Sequence, residues 1–261
     1  MEIIIQPTYQ HLVSIAADIV KRALLKKPEL VMGLATGSTP IGLYEALVRM
    51  HKEEGLDFSA VTTFNLDEYV GIPKTHPSSY HTFMETQFFR HVNIPVENRY
   101  LPQNTAADHG AFCERYEAAI ARAGGIDIQI LGIGREGHIG FNEPSSSLGS
   151  RTRIKTLTRS TLEANAPHFG GDIDAVPTLA ITMGVGTIME ARQCLLLANG
   201  ASKASAIASA VEGPITAEVP ASVLQMHPCT VVLLDEAAAS ALKRAAYYRQ
   251  VYANKLRLLG E

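Results

Sequence analysis

Apolar residues recur along this chain in two alternating rhythms. Compact runs rich in Val, Ile and Leu fall at 3–5, 30–35, 61–65, 126–131, 180–183, 193–198 and 230–234. Their length and branched side chains predict buried strands. Between them, apolar positions three and four apart predict helices. Thr8 caps the first, which runs to about Lys27 with Leu12, Ile15, Ala16, Ile19, Ala23 and Leu24 on one face. Further helices are predicted from Pro40 to about Glu54, Ser78 to Arg90, Asp108 to Ala123, Ser202 to Val211 and Ala238 to Leu258. Residues 151–157 alternate in character, and 158–176 read as polar and irregular.

Strands separated by helices predict βα units on a mostly parallel central sheet flanked by helices. There is no internal repeat and no linker rich in Pro, Gly or Ser, so the expectation is one α/β domain over 1–261. The stretch 145–177 is the candidate mobile flap. In such folds ligands gather at the carboxyl ends of strands. The loops after 30–35, 61–65 and 126–131 therefore become the candidate site.

The third loop carries the most chemistry. Gly132, Gly134, Gly137 and Gly140 let the chain turn tightly around His138, with Glu136 and Glu143 placed to orient the imidazole. Gly132, Gly134 and Gly137 also spell the dinucleotide fingerprint, but Gly140 and Pro144 interrupt the helix it requires. No acid lies about twenty residues on, and a nucleotide is excluded.

The first loop, Thr36-Gly37-Ser38-Thr39-Pro40, joins a strand to a helix whose free N–H groups favour an anion. Pro40 suits the first helical position. The lysine and spacing of a P-loop are missing, and a plain helix cap is the competing reading. The second loop presents Asp67 and Glu68, whose side chains diverge in a strand, so one faces the pocket and the other is solvated or paired. Lys203, beyond strand 193–198, can supply positive charge to a phosphate. His76 and His81 miss the spacing of a helical metal pair, and no metal is expected.

A net charge of −3 excludes general nucleic-acid binding. No apolar run approaches a membrane span, and the N-terminus lacks a basic leader, so the expected compartment is the cytoplasm. The three cysteines form no pair motif; Cys194 and Cys229 read as small core residues.

Assembled, these motifs resemble the glucosamine-6-phosphate deaminase (isomerase) family essentially end to end. The markers are Ala35–Pro40, Phe64–Gly71, Gly137–Pro144, Ser150–Thr156 and Met183–Thr187. The resemblance implies a Rossmann-like three-layer sandwich and a cofactor-free conversion of glucosamine 6-phosphate and water to fructose 6-phosphate and ammonia. It implies that His138, with Glu136 and Glu143, opens the sugar ring, and that Asp67 moves the C2 proton. Thr36, Gly37, Ser38, Thr39 and Lys203 would hold the phosphate. Regulated members are hexamers that bind N-acetylglucosamine 6-phosphate; Ser146, Arg153, Lys155 and Thr156 match that effector site. The chain departs from the pattern at Glu136, where relatives carry Asp or Asn. It lacks a flap arginine in 165–169, where His168 is the partial substitute. The C-terminal tyrosine is displaced to Tyr248 or replaced by Arg249. A galactosamine 6-phosphate enzyme, a lactonase and a sugar-phosphate sensor without catalysis are the competing readings.

Overall fold

The computed structural model describes residues 1–102 and 107–260. Seven strands make the central sheet: β1 (Glu2–Gln6), β2 (Val31–Leu34), β3 (Thr62–Asn65), β5 (Arg99–Tyr100), β6 (Ile128–Leu131), β9 (Gln193–Ala198) and β10 (Thr230–Asp235). Their order is β1-β10-β9-β6-β2-β3-β5, and every pairing is parallel. β2 and β6 are buried along their whole length, as expected of parallel strands covered on both faces. The covering helices are α1 (Tyr9–Lys26), α2 (Ile41–Glu54), α3 (Tyr80–Gln87), α4 (His109–Arg122), α7 (Ala204–Glu212) and α8 (Ala245–Leu259). No described helix is long and apolar enough to cross a membrane.

The caps follow the sequence closely. Thr8 accepts from the His11 N–H at the start of α1, and Asp108 accepts from the Ala111 N–H at the start of α4. Pro40 stands one position before α2 rather than inside it. The buried face of α1 is Leu12, Val13, Ala16, Ala17, Val20 and Leu24, while Ile15, Ile19 and Ala23 flank it half-covered. Ala16 and Ala17 are both fully buried, so the covered face is centred on these small residues rather than on the two isoleucines.

Three differences from the sequence reading bear on the site. First, the strand ends at Asn65 as read, but the chain beyond it is not a plain loop. Leu66 donates its N–H to Leu34 O and accepts from the Met183 N–H, and the backbone passes into β4 (Asp67–Tyr69). β4 joins β8 (Leu179–Thr182) and β7 (Arg153–Thr156) in a separate antiparallel sheet, ordered β4-β8-β7. Secondly, 158–176 is structured. Thr158 caps α5 (Arg159–Asn165), which runs into 3₁₀ turns at Ala166–Phe169 and Ile173–Ala175. Its polar surface concealed a small apolar cluster of Tyr69, Phe141, Leu157, Ala166, Val176 and Ala180 that fastens this region down. Thirdly, α8 begins at Ala245 because 236–244 are turns, with Asp235 Oδ1 accepting from the Ala238 N–H. Cys229 is exposed, contrary to the core reading, whereas Cys194 is buried.

Candidate active site

The strand order reverses between β2 and β6: from β2 the chain moves outward through β3 and β5, and from β6 it moves the other way through β9 and β10. The loops leaving these two strands diverge and open a crevice at their carboxyl ends. A cavity of about 380 Å³ lies there, within the range that takes a small metabolite.

The loop after β6 is folded around its histidine. Gly134 donates its N–H to His138 O at 2.9 Å and accepts from the Gly137 N–H at 3.1 Å. A Cβ at Gly134 would lie 2.0 Å from His138 Nε2, so the missing side chain is the space the ring uses. On its other side, His138 Nδ1 is 3.1 Å from Glu143 Oε2. That distance suits an ion pair once the imidazole is protonated, but the two atoms are not aligned for a hydrogen bond. Glu143 is 1% exposed and reaches the cavity only through His138. Burial works to raise its carboxyl, but His138, Thr161 and the Thr158 N–H outweigh burial and hold it below the usual range. Glu136 is exposed and accepts from Thr158 Oγ1 at 3.1 Å. Glu136, His138 and Glu143 each bring a ligand atom within 4.8 Å of the other two, a set able to hold a divalent cation.

Asp67 lines the same cavity. It heads β4, pairs across the small sheet with Thr182, and is 6% exposed. Burial and then the neighbouring Glu68 charge push its carboxyl up to about 8. Glu68 points the other way, as strand alternation requires, but it is fully buried rather than solvated. It accepts from the N–H groups of Tyr69 (2.8 Å) and His81 (3.1 Å). Burial still raises it to about 7. Gly140 runs beside Asp67: at φ +57° its Cβ would be 2.9 Å from Thr182 Oγ1 and 3.4 Å from Asp67 Oδ2. Only glycine meets both demands.

The cavity is also lined by Thr36, Gly37, Ser38, Thr39 and Lys203. Thr39 is held from two sides: its hydroxyl donates to Asn199 Oδ1 at 3.1 Å, and its carbonyl accepts from Tyr9 at 2.6 Å. Burial, and then the charge of Arg135, hold the Lys203 ammonium below the usual lysine range.

Every candidate of the catalytic and phosphate sets except Glu143 thus lines one cavity. Ser146, Arg153, Lys155 and Thr156 do not. Ser146 is buried, and Arg153 Nη1 donates to Asn142 Oδ1 at 2.9 Å. Segment 165–169 contributes Asn165 and His168. Residues the sequence reading passed over are Arg135, Tyr80, Ser160 and Thr161. The position of Arg135 between Gly134 and Glu136 was the available signal.

Fold and cavity together define an α/β protein whose crevice is lined by both an acid–base group and an anion cradle. The chain matches the model of the glucosamine-6-phosphate isomerases/6-phosphogluconolactonase family over residues 6–233, and it belongs to that family. It is 52% identical to a glucosamine-6-phosphate deaminase of Cellvibrio japonicus over 93% of this chain and 92% of that one. It is 51% identical to another, of Arthrobacter sp., over 98% of each. A solved structure of a monomeric glucosamine-6-phosphate deaminase superposes with a TM-score of 0.90 at 46% identity, covering 92% of this chain and all of that one. The 6-phosphogluconolactonase of Thermotoga maritima gives 0.70 at 19% identity over 90% and 99%, which shows a shared fold.

Proposed function

We propose that the chain is an enzyme that isomerises and deaminates glucosamine 6-phosphate, giving fructose 6-phosphate and ammonia. Relatives near 50% identity over almost the whole length support this reading, and lactonases share only the fold at 19%. The observation that carries it is that Asp67, its carboxyl raised by burial, lines one cavity with His138, whose ring backs onto the buried Glu143.

In this reading the phosphate sits among Thr36–Thr39 and Lys203. His138 relays a proton from the anomeric hydroxyl to the ring oxygen, which opens the pyranose to an aldehyde. Glu143 steadies the positive charge that the imidazole gains in transit, and Glu136 helps fix the ring. The aldehyde acidifies the C2 hydrogen. Asp67, as carboxylate, removes that proton to give an enolamine and returns it to C1. The product is an imine at C2, which water hydrolyses to the ketone with loss of ammonia. An enzyme whose base sits near pH 8 is matched to a weak carbon acid, because a more basic carboxylate draws the proton more strongly.

Every group this chemistry uses comes from one chain, so a hexamer is not required for turnover. The same reading keeps Ser146, Arg153, Lys155 and Thr156 as an effector site and places the reaction in the cytoplasm. Ammonia release from glucosamine 6-phosphate tests the function. Tight binding without ammonia would favour a sensor, and preference for the galacto epimer would overturn the substrate.

A further inference from the structure

The mechanism leaves one charged cavity residue unused. Arg135 lines the same cavity as Lys203, Ser202 and the Thr36–Thr39 loop. The turn around it splits its charges: Glu136 is tied to Thr158 Oγ1 on the α5 side, while Arg135 acts on Lys203. Two other exposed arginines are paired, Arg151 on Glu117 and Glu190 and Arg159 on Glu163. Among the described residues neither the Arg135 guanidinium nor the Lys203 ammonium has a carboxylate or carbonyl partner. Two neighbouring unpaired cations repel each other unless an anion lies between them. A phosphate monoester, carrying close to two negative charges at neutral pH, converts that repulsion into attraction.

We infer that Arg135 is a second phosphate-binding cation, closing on the phosphate from the His138 loop while Lys203 and Thr36–Thr39 hold it from below. Its guanidinium presents two parallel N–H donors matched to a pair of phosphate oxygens, which an ammonium does not reproduce. Arg135 is a neighbour of the ring-opening loop, so phosphate binding also fixes the segment that carries His138. The inference rests on the proposed substrate, because it assigns the dianion it recognises to the 6-phosphate of the sugar. Free inorganic phosphate shares the same chemistry and is the second arm of the test.

The test uses the full chain with Arg135→Gln and Arg135→Lys, comparing thermal unfolding first. Arg135 is exposed, so both variants unfold at the wild-type temperature. Calorimetry then reads fructose 6-phosphate and inorganic phosphate binding, and kinetics read KM for glucosamine 6-phosphate. Loss of a charge-assisted contact predicts that Arg135→Gln weakens both ligands and raises KM by about tenfold to hundredfold. Arg135→Lys recovers part of the loss. Weakening of inorganic phosphate alone, with KM and sugar-phosphate affinity unchanged, overturns the inference, as does a Kd within twofold of wild type for both. Wild-type turnover with an Arg135-independent Kd sinks the inference and spares the function. A wild type that releases no ammonia, but binds fructose 6-phosphate in an Arg135-dependent way, sinks the function and spares the inference.

Discussion

His138 stands so close over Gly134 that a Cβ built there would fall 2.0 Å from the imidazole Nε2. Its Nδ1 is held 3.1 Å from Glu143 Oε2 on the other side. Ring position is therefore set between a missing side chain and a buried carboxylate. Gly134 is not among the positive-φ glycines, so alanine does not strain the backbone there, and its nearest clash is with the ring. Gly134→Ala is expected to fold with less than about 1 kcal/mol of destabilisation while kcat drops about a hundredfold, since a small misplacement of a catalytic group costs that much. Denaturant unfolding beside steady-state kinetics checks the pair. A variant with wild-type kcat would show that the ring has other room.

Asp67 and Glu68 give the pH profile a direction. Activity needs the Asp67 carboxylate, so log kcat/KM is expected to rise with pH and level off near 8. Glu68→Gln removes the like charge behind Asp67 and moves the rising limb to lower pH. A limb that stays in place would detach the profile from this pair.

Stability carries the same signature with opposite sign. Asp67 titrates near 3.8 when unfolded and near 8 when folded. Between those values the folded state binds more protons, so stability falls as pH rises. Asp67→Asn removes that cost. The variant is expected to be inactive yet more thermostable, by an amount that grows from about pH 5 to about pH 8. Differential scanning calorimetry across that range decides it; a constant offset would contradict the linkage.

Arg153 lies outside the cavity but is wired to it. It faces Thr182 across the small sheet, and Thr182 faces Asp67 on the other edge. Its guanidinium also holds Asn142 Oδ1, while Asn142 Nδ2 ties down the carbonyls of Ile139 and Met183. Arg153→Leu is expected to lower kcat/KM about fivefold to fiftyfold without touching substrate. N-acetylglucosamine 6-phosphate is expected to lower KM in wild type and to do nothing in the variant. An effector response that survives the substitution would move the regulatory site elsewhere.

The proposed chemistry passes no step through a metal, so EDTA treatment should leave ammonia release unchanged. Added Zn²⁺ is expected to inhibit by seating on Glu136, His138 and Glu143. Glu136→Gln should weaken that inhibition, as measured by dose–response; equal inhibition would place the ion elsewhere.

Much of this was local and so legible in the sequence. Strand runs, the Thr8 and Asp108 caps and the glycine loop around His138 depend on residues a few positions apart, and periodicity and turn chemistry report such contacts directly. The convergence of the loops at 36–40, 67 and 132–140 followed from the parallel βα pattern, because strand polarity alone decides which loops share an edge. Tertiary structure decided the rest. That Asp67 belongs to a second sheet depends on hydrogen bonds from Leu66 to Leu34 and from Met183 to Leu66, distant in sequence. The order inside 158–176 depends on aromatic and aliphatic partners at Tyr69 and Phe141. The placing of Arg135 and Lys203 in one cavity needs two loops 68 positions apart to meet at one edge. No period or local propensity encodes such meetings. They exist because a buried sheet leaves each crossing chain few places to bury its apolar face, and the charges follow the backbone to where that packing puts them.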